Sequence, residues 1–242
     1  MSVTWPDVVE GTWPSAQRQK LGPFLVRQGL GGGSRVSAAN ALGPASDEDI
    51  AAAEVAMQAL GQKRIFCLWS GDEALDTQLE GRGYSVLDPV NIYTCPVGHL
   101  TDLPLPRVTV FSIWEPLAIM REIWAEGGIG PERLAVMERA PGPKTGLLLR
   151  YSDQPAGTGF VAMHGDVAMV HALEILPAHR RQGLGQWAMR AAALWAQDQG
   201  AGTLSVICTK ANAGANGLYR ALGMELAGEY HYRQLAEGEN PK

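Results

Sequence analysis

The amino-acid sequence predicts an α/β protein with a mixed sheet (α+β), divided into two lobes that repeat one order of elements. Segments with helical and strand periodicity alternate in residues 47–93, and the same helix, strand, helix, strand order returns in residues 188–235. Between them lies the proline-rich stretch TDLPLPRV, residues 101–108, which cannot continue a helix. The 242 residues, 46% of them hydrophobic, also suffice for two modest cores.

These observations predict an amino-terminal lobe at residues 1–100, a linker at residues 101–108 and a carboxy-terminal lobe at residues 109–242. The two lobes share very little sequence identity, so the repeat rests on the order of elements and on one junction. In that junction a helix ends at a glycine that a hydrophobic residue follows, and a shift of 140 residues places Gly83 on Gly223.

The first lobe opens with an irregular lead-in, residues 1–21, that has room for one short helix. The segment GPFLVRQGL predicts a strand, and SRVSAANAL predicts its hairpin partner across the glycine-rich GLGGGS at residues 29–34. A helix then begins at Ser46 or Asp47, a good N-cap, and ends at Gly61. The segments after the lead-in hairpin are predicted, in order, as helix 47–60, strand 64–69, helix 72–83 and strand 84–93.

The second lobe opens with FSIWEPLAIMREIWAEGG, which predicts a strand or turn leading into an amphipathic helix, and a second helix starts at Pro131. Three strands then follow in GLLLRYSD, TGFVAMHGD and VAMVHALEIL, and Gly165-Asp166 marks the tightest turn between them. The remaining segments are predicted as helix 188–200, strand 203–208, helix 212–223 and strand 224–235.

Composition excludes several classes of function. With 20 basic and 25 acidic residues, the net charge of −5 offers no diffuse positive field for nucleic acid or anionic membrane. The three cysteines have no CxxC pair and the five histidines no HxH or HxxxH spacing, so we expect neither a disulfide framework nor a metal. The start MSVTWPD has no basic and apolar leader, and no apolar run is long enough to span a bilayer. We therefore expect a cytoplasmic protein with free thiols.

The motif RRQGLGQ, residues 180–186, lies between a predicted strand that ends at Pro177 and a predicted helix. The amides at a helix start have no intrahelical acceptors, so such a turn can bind an anion. Gly183 and Gly185 would let a pyrophosphate approach the main chain, and Arg180 and Arg181 would add positive charge. A plain turn is the alternative for this motif alone.

A second motif, NAGANGLYRALGM at residues 212–224, makes the first more specific. Together they resemble the GCN5-related N-acetyltransferase (GNAT) superfamily over residues 108–235. Its R/Q-x-x-G-x-G/A pattern matches Arg180, Gly183 and Gly185. Its later N-x-x-A-x-x-L-Y-x-x-x-G pattern and the L-x-I-x-P lead before the first motif match further residues. These are Asn212, Ala215, Leu218, Tyr219, Gly223 and Met224, with Leu173, Ile175 and Pro177.

The resemblance implies a GNAT fold and an enzyme that transfers an acetyl group from acetyl-CoA to a primary amine. It also implies a cofactor site formed by the main chain of Leu173, Glu174 and Ile175, by Asn212, and by the whole turn. The turn residues are Arg180, Arg181, Gln182, Gly183, Leu184, Gly185 and Gln186. Tyr219 would protonate the departing thiolate, although a buried packing role is its alternative. The first lobe, which lacks the arginine and second glycine of the turn, would be a degenerate copy.

The general base is open at this stage. Some relatives place a glutamate on the strand before the second motif, but this sequence has Ile207 there. His171 matches the position of a catalytic histidine in small-amine acetyltransferases, and its pKa suits the task near neutral pH. A structural histidine and proton loss to water are the alternatives. Regular strand alternation would place Glu174 on the opposite face from His171.

The predicted partner is therefore a small-molecule or peptide amine. Attack would occur directly in a ternary complex, without an acyl-enzyme and without a metal. One alternative is a non-catalytic acyl-CoA-binding module. Another is an NAD-binding oxidoreductase built on GLGGGS, although Ser34 stands where a dinucleotide fingerprint needs its last glycine. The acceptor, any ligand of the first lobe, and the oligomeric state, including a homodimer, stay open.

Overall fold

The structure of the protein is a computed structural model that describes residues 4–236. The helices, in chain order, are α1 (Trp5–Thr12), α2 (Ser34–Ser37), α3 (Asp47–Ala59), α4 (Glu73–Gly81), α5 (Ala118–Glu126), α6 (Pro131–Arg139), α7 (Leu184–Asp198) and α8 (Ala213–Ala221). The strands are β1 (Gln17–Leu21), β2 (Phe24–Gln28), β3 (Ala39–Ala41), β4 (Ile65–Trp69), β5 (Ser85–Pro96), β6 (Val110–Ile113), β7 (Lys144–Tyr151), β8 (Gln154–His164), β9 (Val167–Ile175), β10 (Thr203–Thr209) and β11 (Glu225–Gln234).

The chain folds into two compact units, each with a hydrophobic core of its own. Unit 1 consists of residues 4–14, 92–208 and 212–227, and unit 2 consists of residues 15–91, 209–211 and 228–236. Strands and helices alternate along the chain and the sheet pairs strands both parallel and antiparallel, so the predicted α/β fold class with two lobes is confirmed. The compact units do not follow the predicted division at residues 100 and 109, because each draws segments from both halves of the chain.

Unit 2 contains the strand order β1-β2-β3-β4-β11, in which β3 and β4 are parallel and the other pairs are antiparallel. Its core lies between these strands and helices α3 and α4. The predicted start of α3 is confirmed, since the Ser46 hydroxyl accepts from the Asp49 amide while the Asp49 carboxylate accepts from the Ser46 amide. Such a reciprocal cap stabilises a helix by about 1 kcal/mol.

The segment after the glycine-rich loop differs from its prediction as a hairpin strand. Residues 34–37 form the short helix α2, and only Ala39–Ala41 pairs with β2. The loop itself holds Leu30, Gly31 and Gly33 at positive φ, and the Gly29 amide donates to the Gln62 side chain at 2.7 Å. These conformations turn the chain too sharply for a continuous strand, so a turn of helix forms first.

Unit 1 contains the strand order β6-β7-β8-β9-β10-β5, with the carboxy-terminal part of β5 beside β10. All recorded pairs among β6 to β9 are antiparallel, and β9 and β10 are parallel. Helices α1 and α5 pack on β8 and β9, and α7 packs on β6 to β9. The core of unit 1 includes residues from 93–100, which the sequence assigned to the first lobe.

The predicted order of elements after residue 109 is confirmed, including the start of α6 at Pro131. The repeat is visible in the element bounds as well. Helices α4 and α8 begin at Glu73 and Ala213, and strands β5 and β11 begin at Ser85 and Glu225, so the copies are again offset by 140 residues.

Candidate active site

Strands β9 and β10 separate toward their carboxyl ends. Their recorded pairs run from Val167 with Thr203 to Val170 with Val206. Both strands continue beyond these pairs, to Ile175 and Thr209. The described structure therefore leaves an opening between the two strands, and the main chain of residues 173–175 borders it.

The turn after β9 presents a run of main-chain amides. Residues 177–179 form one turn of 3-10 helix, and α7 then begins after Gly183, whose left-handed φ of 79° caps the helix without a side-chain hydrogen bond. Within residues 4–236, the amides of residues 181–185 have no recorded acceptor, whereas the Gln186 and Trp187 amides donate to the Gly183 carbonyl. Unpaired amides at a helix start can bind an anion, and the motif predicts such a site at this turn.

Glycine is needed at two positions of this turn for different physical reasons. A Cβ on Gly183 would meet no atom within 4 Å, so this position needs glycine for its positive φ and faces open space. A Cβ on Gly185 would lie only 2.8 Å from the Leu218 side chain. Gly185 therefore allows α7 and α8 to approach each other. The expectation that both glycines open the turn to a pyrophosphate fits Gly183 alone.

Arginine and glutamine side chains tie the turn to its surroundings. Arg180 donates to the Ile175 carbonyl at 3.0 Å and forms an ion pair with Glu174 at 3.2 Å. The Tyr151 hydroxyl donates to the Gln182 side chain at 3.2 Å. Arg181 is exposed and has a left-handed φ of 65°. Arg180 thus holds the end of β9 while Arg181 stays available at the rim.

A β-bulge in β9 changes which residues share a face. Thr158 pairs with Glu174 and Phe160 with His171, so β9 has one more residue than β8 between these pairs, and Ala172 adopts a positive φ of 48°. Paired side chains share a face, and so do residues two apart on β8. His171 and Glu174 therefore lie on the same face, which corrects the expectation from strand alternation.

The bulge is held from the neighbouring helix. The Trp124 indole on α5 donates to the Ala172 carbonyl at 2.8 Å, and Trp124 is fully buried. Leu173 and Ile175 pack on the opposite face, against the core that α7 covers. The bulge thus separates a face with ionisable side chains from a face that supports the amide turn.

His171 is buried beneath the amino-terminal segment, with 3% of its surface exposed. Its Nε2 lies 2.9 Å from the Thr12 hydroxyl, which itself donates to the Val8 carbonyl at 2.7 Å. Because that hydroxyl proton is already used, His171 Nε2 is the donor in this contact. Trp13 packs against the imidazole with the ring centres 5.0 Å apart. This geometry fits the structural role named as its alternative, and a role as base stays a prediction.

Tyr219 lies on α8, and its side chain is nearly buried. Burial, with a smaller contribution from Cys208, raises the pKa of the phenol above its ordinary value of 10.0. No residue in the described part of the chain has a recorded hydrogen bond to its hydroxyl. A phenol of this kind keeps its proton at physiological pH, and it can share that proton with an atom beside it on which negative charge develops.

The start of α8 contains two asparagines, of which sequence reasoning named one. The Asn212 side chain accepts from the Ala215 amide at 3.0 Å and so caps the helix. Asn216, which was missed, is buried and accepts from the Tyr93 hydroxyl at 2.9 Å. Its position in the NAGANGLY motif could have singled it out, but nothing in the sequence links that motif to Tyr93, 123 residues earlier.

The predicted residues of the turn, β9 and α8 all lie in unit 1. A separate cavity of about 590 Å³ in this unit is lined at the opposite ends of the strands by Val167 and Thr203, and it contains none of the predicted site residues. Within the part of the chain that the structure covers, no three histidine, cysteine, aspartate or glutamate side chains are grouped to hold a metal ion. No helix of residues 4–236 has the length and apolar character needed to cross a bilayer.

Comparison with known proteins points to one family. Residues 114–224 match the model of the acetyltransferase (GNAT) family. A curated relative from Bacillus subtilis (strain 168), named uncharacterized N-acetyltransferase YobR, is 24% identical over 232 residues, which cover 92% of this chain and 94% of that protein.

Two solved structures share the fold. A GCN5-related N-acetyltransferase from Kribbella flavida superposes with a TM-score of 0.69 at 22% identity, covering 95% of this chain and 93% of the other. A tandem GNAT protein from the clavulanic acid biosynthesis pathway superposes with a TM-score of 0.60 at 13% identity, covering 84% of this chain and 76% of the other. The second structure agrees with a fold of two lobes.

Proposed function

We propose, on the premise that residues 114–224 form a domain of the acetyltransferase (GNAT) family, that this protein is an acetyl-CoA-dependent N-acetyltransferase. The acceptor would be a primary amine of a small molecule or peptide. The observation that carries the proposal is the run of unpaired amides at residues 181–185, beside the opening between β9 and β10. A diphosphate and an extended arm need just these two features side by side.

The turn and β9 would bind acetyl-CoA, and the residues present fit it. The amides of residues 181–185 would bind the diphosphate, with Arg180 and Arg181 adding charge at its edge. The main chain of residues 173–175 and the Asn212 side chain would bind the arm. Bound acetyl-CoA supplies an acetyl group already activated as a thioester. No metal is needed for this chemistry.

Direct transfer needs two proton movements, and this chain offers residues for each. Tyr219 would give its phenolic proton to the sulfur as the carbon–sulfur bond breaks and the acceptor nitrogen bonds to the acetyl carbon. The proton lost by the nitrogen would pass to His171, to Glu174, which the bulge places on the same face as His171, or to water. In a ternary complex, holding the two reactants together in the reacting geometry lowers the barrier to transfer.

The free cysteines support the proposed cytoplasmic location. Cys67, Cys95 and Cys208 are all unpaired, and burial raises the pKa of the Cys95 and Cys208 thiols to about 11 each. Neutral thiols with raised pKa values are poor nucleophiles at physiological pH, so direct attack by the amine is favoured over an acyl-cysteine.

Isothermal titration calorimetry with acetyl-CoA tests the binding site. We expect Gly183→Ala to weaken binding about tenfold, because a left-handed alanine costs roughly 1 to 2 kcal/mol and its relief displaces the amides. Gly200→Ala is the matched control, since Gly200 has a φ of 85° and equally open surroundings at the far end of α7. Equal binding by both variants would contradict the proposed site.

An acetyl-transfer assay across classes of amines separates the alternatives. Release of free thiol that depends on one amine supports the enzyme. Tight binding of acetyl-CoA with no transfer to any amine supports a non-catalytic binding module. Thermal stabilisation by NAD but not by coenzyme A would overturn both, because a ligand raises the melting temperature only if it binds the folded state.

A further inference from the structure

Tyr93 reaches the candidate site from a distant part of the chain. It lies on β5, next to the strand β10 that precedes the second motif, and only 2% of its surface is exposed. Its hydroxyl donates to the Asn216 side-chain oxygen at 2.9 Å, in surroundings where Asn216 is also buried. A hydrogen bond between two buried polar groups is expensive to break, because each partner is left without water.

The side-chain NH2 group of Asn216 makes a second hydrogen bond. Its side-chain amide donates to the Asn212 carbonyl at 2.7 Å, and the Asn212 side chain accepts from the Ala215 amide at 3.0 Å. Both ends of the Asn216 amide are thereby fixed, which sets its orientation. The Tyr93 hydroxyl thus connects, through Asn216, to the cap of the first turn of α8.

Tyr93 also contacts the proposed proton donor directly. Its ring centre lies 5.6 Å from the ring centre of Tyr219, at an angle of 48°. Tyr219 follows Asn216 by one helical turn, so the two residues lie on the same face of α8. The ring and the hydroxyl of Tyr93 therefore hold the same helix face at two successive turns.

We propose that Tyr93 is a positioning residue for acetyl transfer, which rests on the function proposed above. Its hydroxyl fixes Asn216 and the start of α8, and through them the orientation of Tyr219 toward the leaving sulfur. The amides of residues 181–185 belong to a different helix and do not depend on this contact. Tyr93 therefore acts on the rate of transfer more than on the affinity for acetyl-CoA.

Tyr93→Phe tests the hydroxyl while the ring is kept. We expect kcat to fall about 3- to 10-fold, the range that one lost hydrogen bond produces, while the KM for acetyl-CoA changes less than about twofold. Tyr84→Phe is the matched control. The Tyr84 hydroxyl also donates to a buried side chain, Glu54 at 2.9 Å, but in unit 2. Equal kcat values for the two variants, or a rise in KM alone, would overturn the proposal.

A double-mutant cycle with Asn216→Ala asks whether the two residues act through one contact. We expect the double variant to be no slower than the slower single variant, whereas independent effects would multiply. Multiplied effects would overturn the proposed route through Asn216.

Amide hydrogen exchange in the unliganded protein gives a readout that does not depend on activity. We expect the amides of residues 215–217 to exchange at least about threefold faster in Tyr93→Phe than in the wild type, and unchanged in Tyr84→Phe. Unchanged exchange in Tyr93→Phe overturns the positioning role even if the wild type binds acetyl-CoA. A wild type that binds no coenzyme A overturns the proposed function instead. The exchange rates then test only whether the Tyr93 hydroxyl orders the start of α8.

Discussion

Single residues of the candidate site differ in how burial restricts their chemistry. Tyr219 is buried, and the pKa of its phenol is raised, so its neutral form, the form a proton donor needs, is favoured over a wide pH range. His171 is equally buried, but its Nε2 donates to Thr12 and its ring packs on Trp13. Burial therefore keeps Tyr219 in its protonated form, whereas the contacts of His171 hold its ring in place.

Tyr219→Phe is expected to lower kcat at least about tenfold, since general acid catalysis commonly contributes more than that. The calorimetric Kd for acetyl-CoA should change less than about twofold, because the phenylalanine ring keeps the packing against Tyr93. With the phenol pKa raised, wild-type kcat should not fall from ionisation of Tyr219 up to about pH 10. A variant with wild-type kcat would remove Tyr219 from the mechanism.

Gly185→Ala is expected to destabilise the protein by about 1 to 3 kcal/mol, the usual cost of overpacking, because the new methyl group meets Leu218. Urea denaturation measures the change in the free energy of unfolding. In the Gly185→Ala/Leu218→Ala double variant the methyl group gains space. The double variant should therefore lose less stability than the sum of the losses in the two single variants. Simple additivity would show that the contact with Leu218 is not the cause.

At the scale of helices and strands, capping and periodicity predicted most of the fold. Ser46 begins α3, Pro131 begins α6, and Gly165 turns β8 into β9, as local chemistry indicates. The bulge at Ala172 was beyond such reasoning. It inverts the faces of the residues that follow it, and it is stabilised by the indole of Trp124, 48 residues away.

The candidate site likewise has residues that local motifs predict and residues that only the tertiary fold brings together. The amide turn and Tyr219 could be predicted because they form short motifs with a local physical reason. Tyr93 and Thr12 could not, since only the tertiary fold brings β5 beside β10 and α1 onto β9. The spacing of residues in a motif does not predict a contact between positions more than 100 residues apart.

In unit 2, one carboxylate connects α4 to β11. Asp76 accepts from Arg233 at 2.6 Å and from His231 at 3.0 Å, and the hydrogen bond from Arg233 is the main reason that the pKa of this carboxyl is lowered. A carboxyl whose pKa is lower in the folded than in the unfolded state stabilises the fold above the unfolded pKa, and that stabilisation is lost as pH falls through the folded value.

Asp76→Asn should therefore destabilise the protein by about 1 to 3 kcal/mol at pH 7, as expected for lost charge-assisted hydrogen bonds that leave Arg233 buried. The difference from the wild type should begin to shrink below about pH 4, where the carboxyl of the unfolded state becomes protonated, and should vanish once pH falls below the lowered pKa of the folded state. Asp153→Asn is the control, because Asp153 is exposed in its pair with Arg150 and should change stability by less than about 0.5 kcal/mol. A difference that is constant with pH would contradict this account.

For the molecule as a whole, the compact units and the two halves of the sequence are different divisions. Unit 1 needs α1 and residues 92–108 in addition to the segment that matches the GNAT family. The core of unit 1 includes Tyr93, Cys95, Val97 and Leu100. A boundary placed at the proline-rich stretch would cut through that core.

A fragment of residues 109–242 should therefore unfold without a cooperative transition and bind no acetyl-CoA, because it lacks those core residues and Tyr93. Calorimetry and thermal melting of the purified fragment measure both properties. Co-expression with residues 1–108 supplies the missing segments and should restore binding. A fragment that binds as tightly as the full chain would support the simpler division at residue 109.

The discontinuity of the units also constrains how the nascent polypeptide can fold during translation. Strand β4 has no neighbour on one side within unit 2 until β11, which is synthesised more than 150 residues later, as the separation of Asp76 from Arg233 illustrates. In unit 1, α1 likewise lacks the strands on which it packs, β8 and β9, until they have been synthesised. Late pairing of this kind raises contact order, which slows folding, and exposes strand edges that chaperones commonly shield from aggregation.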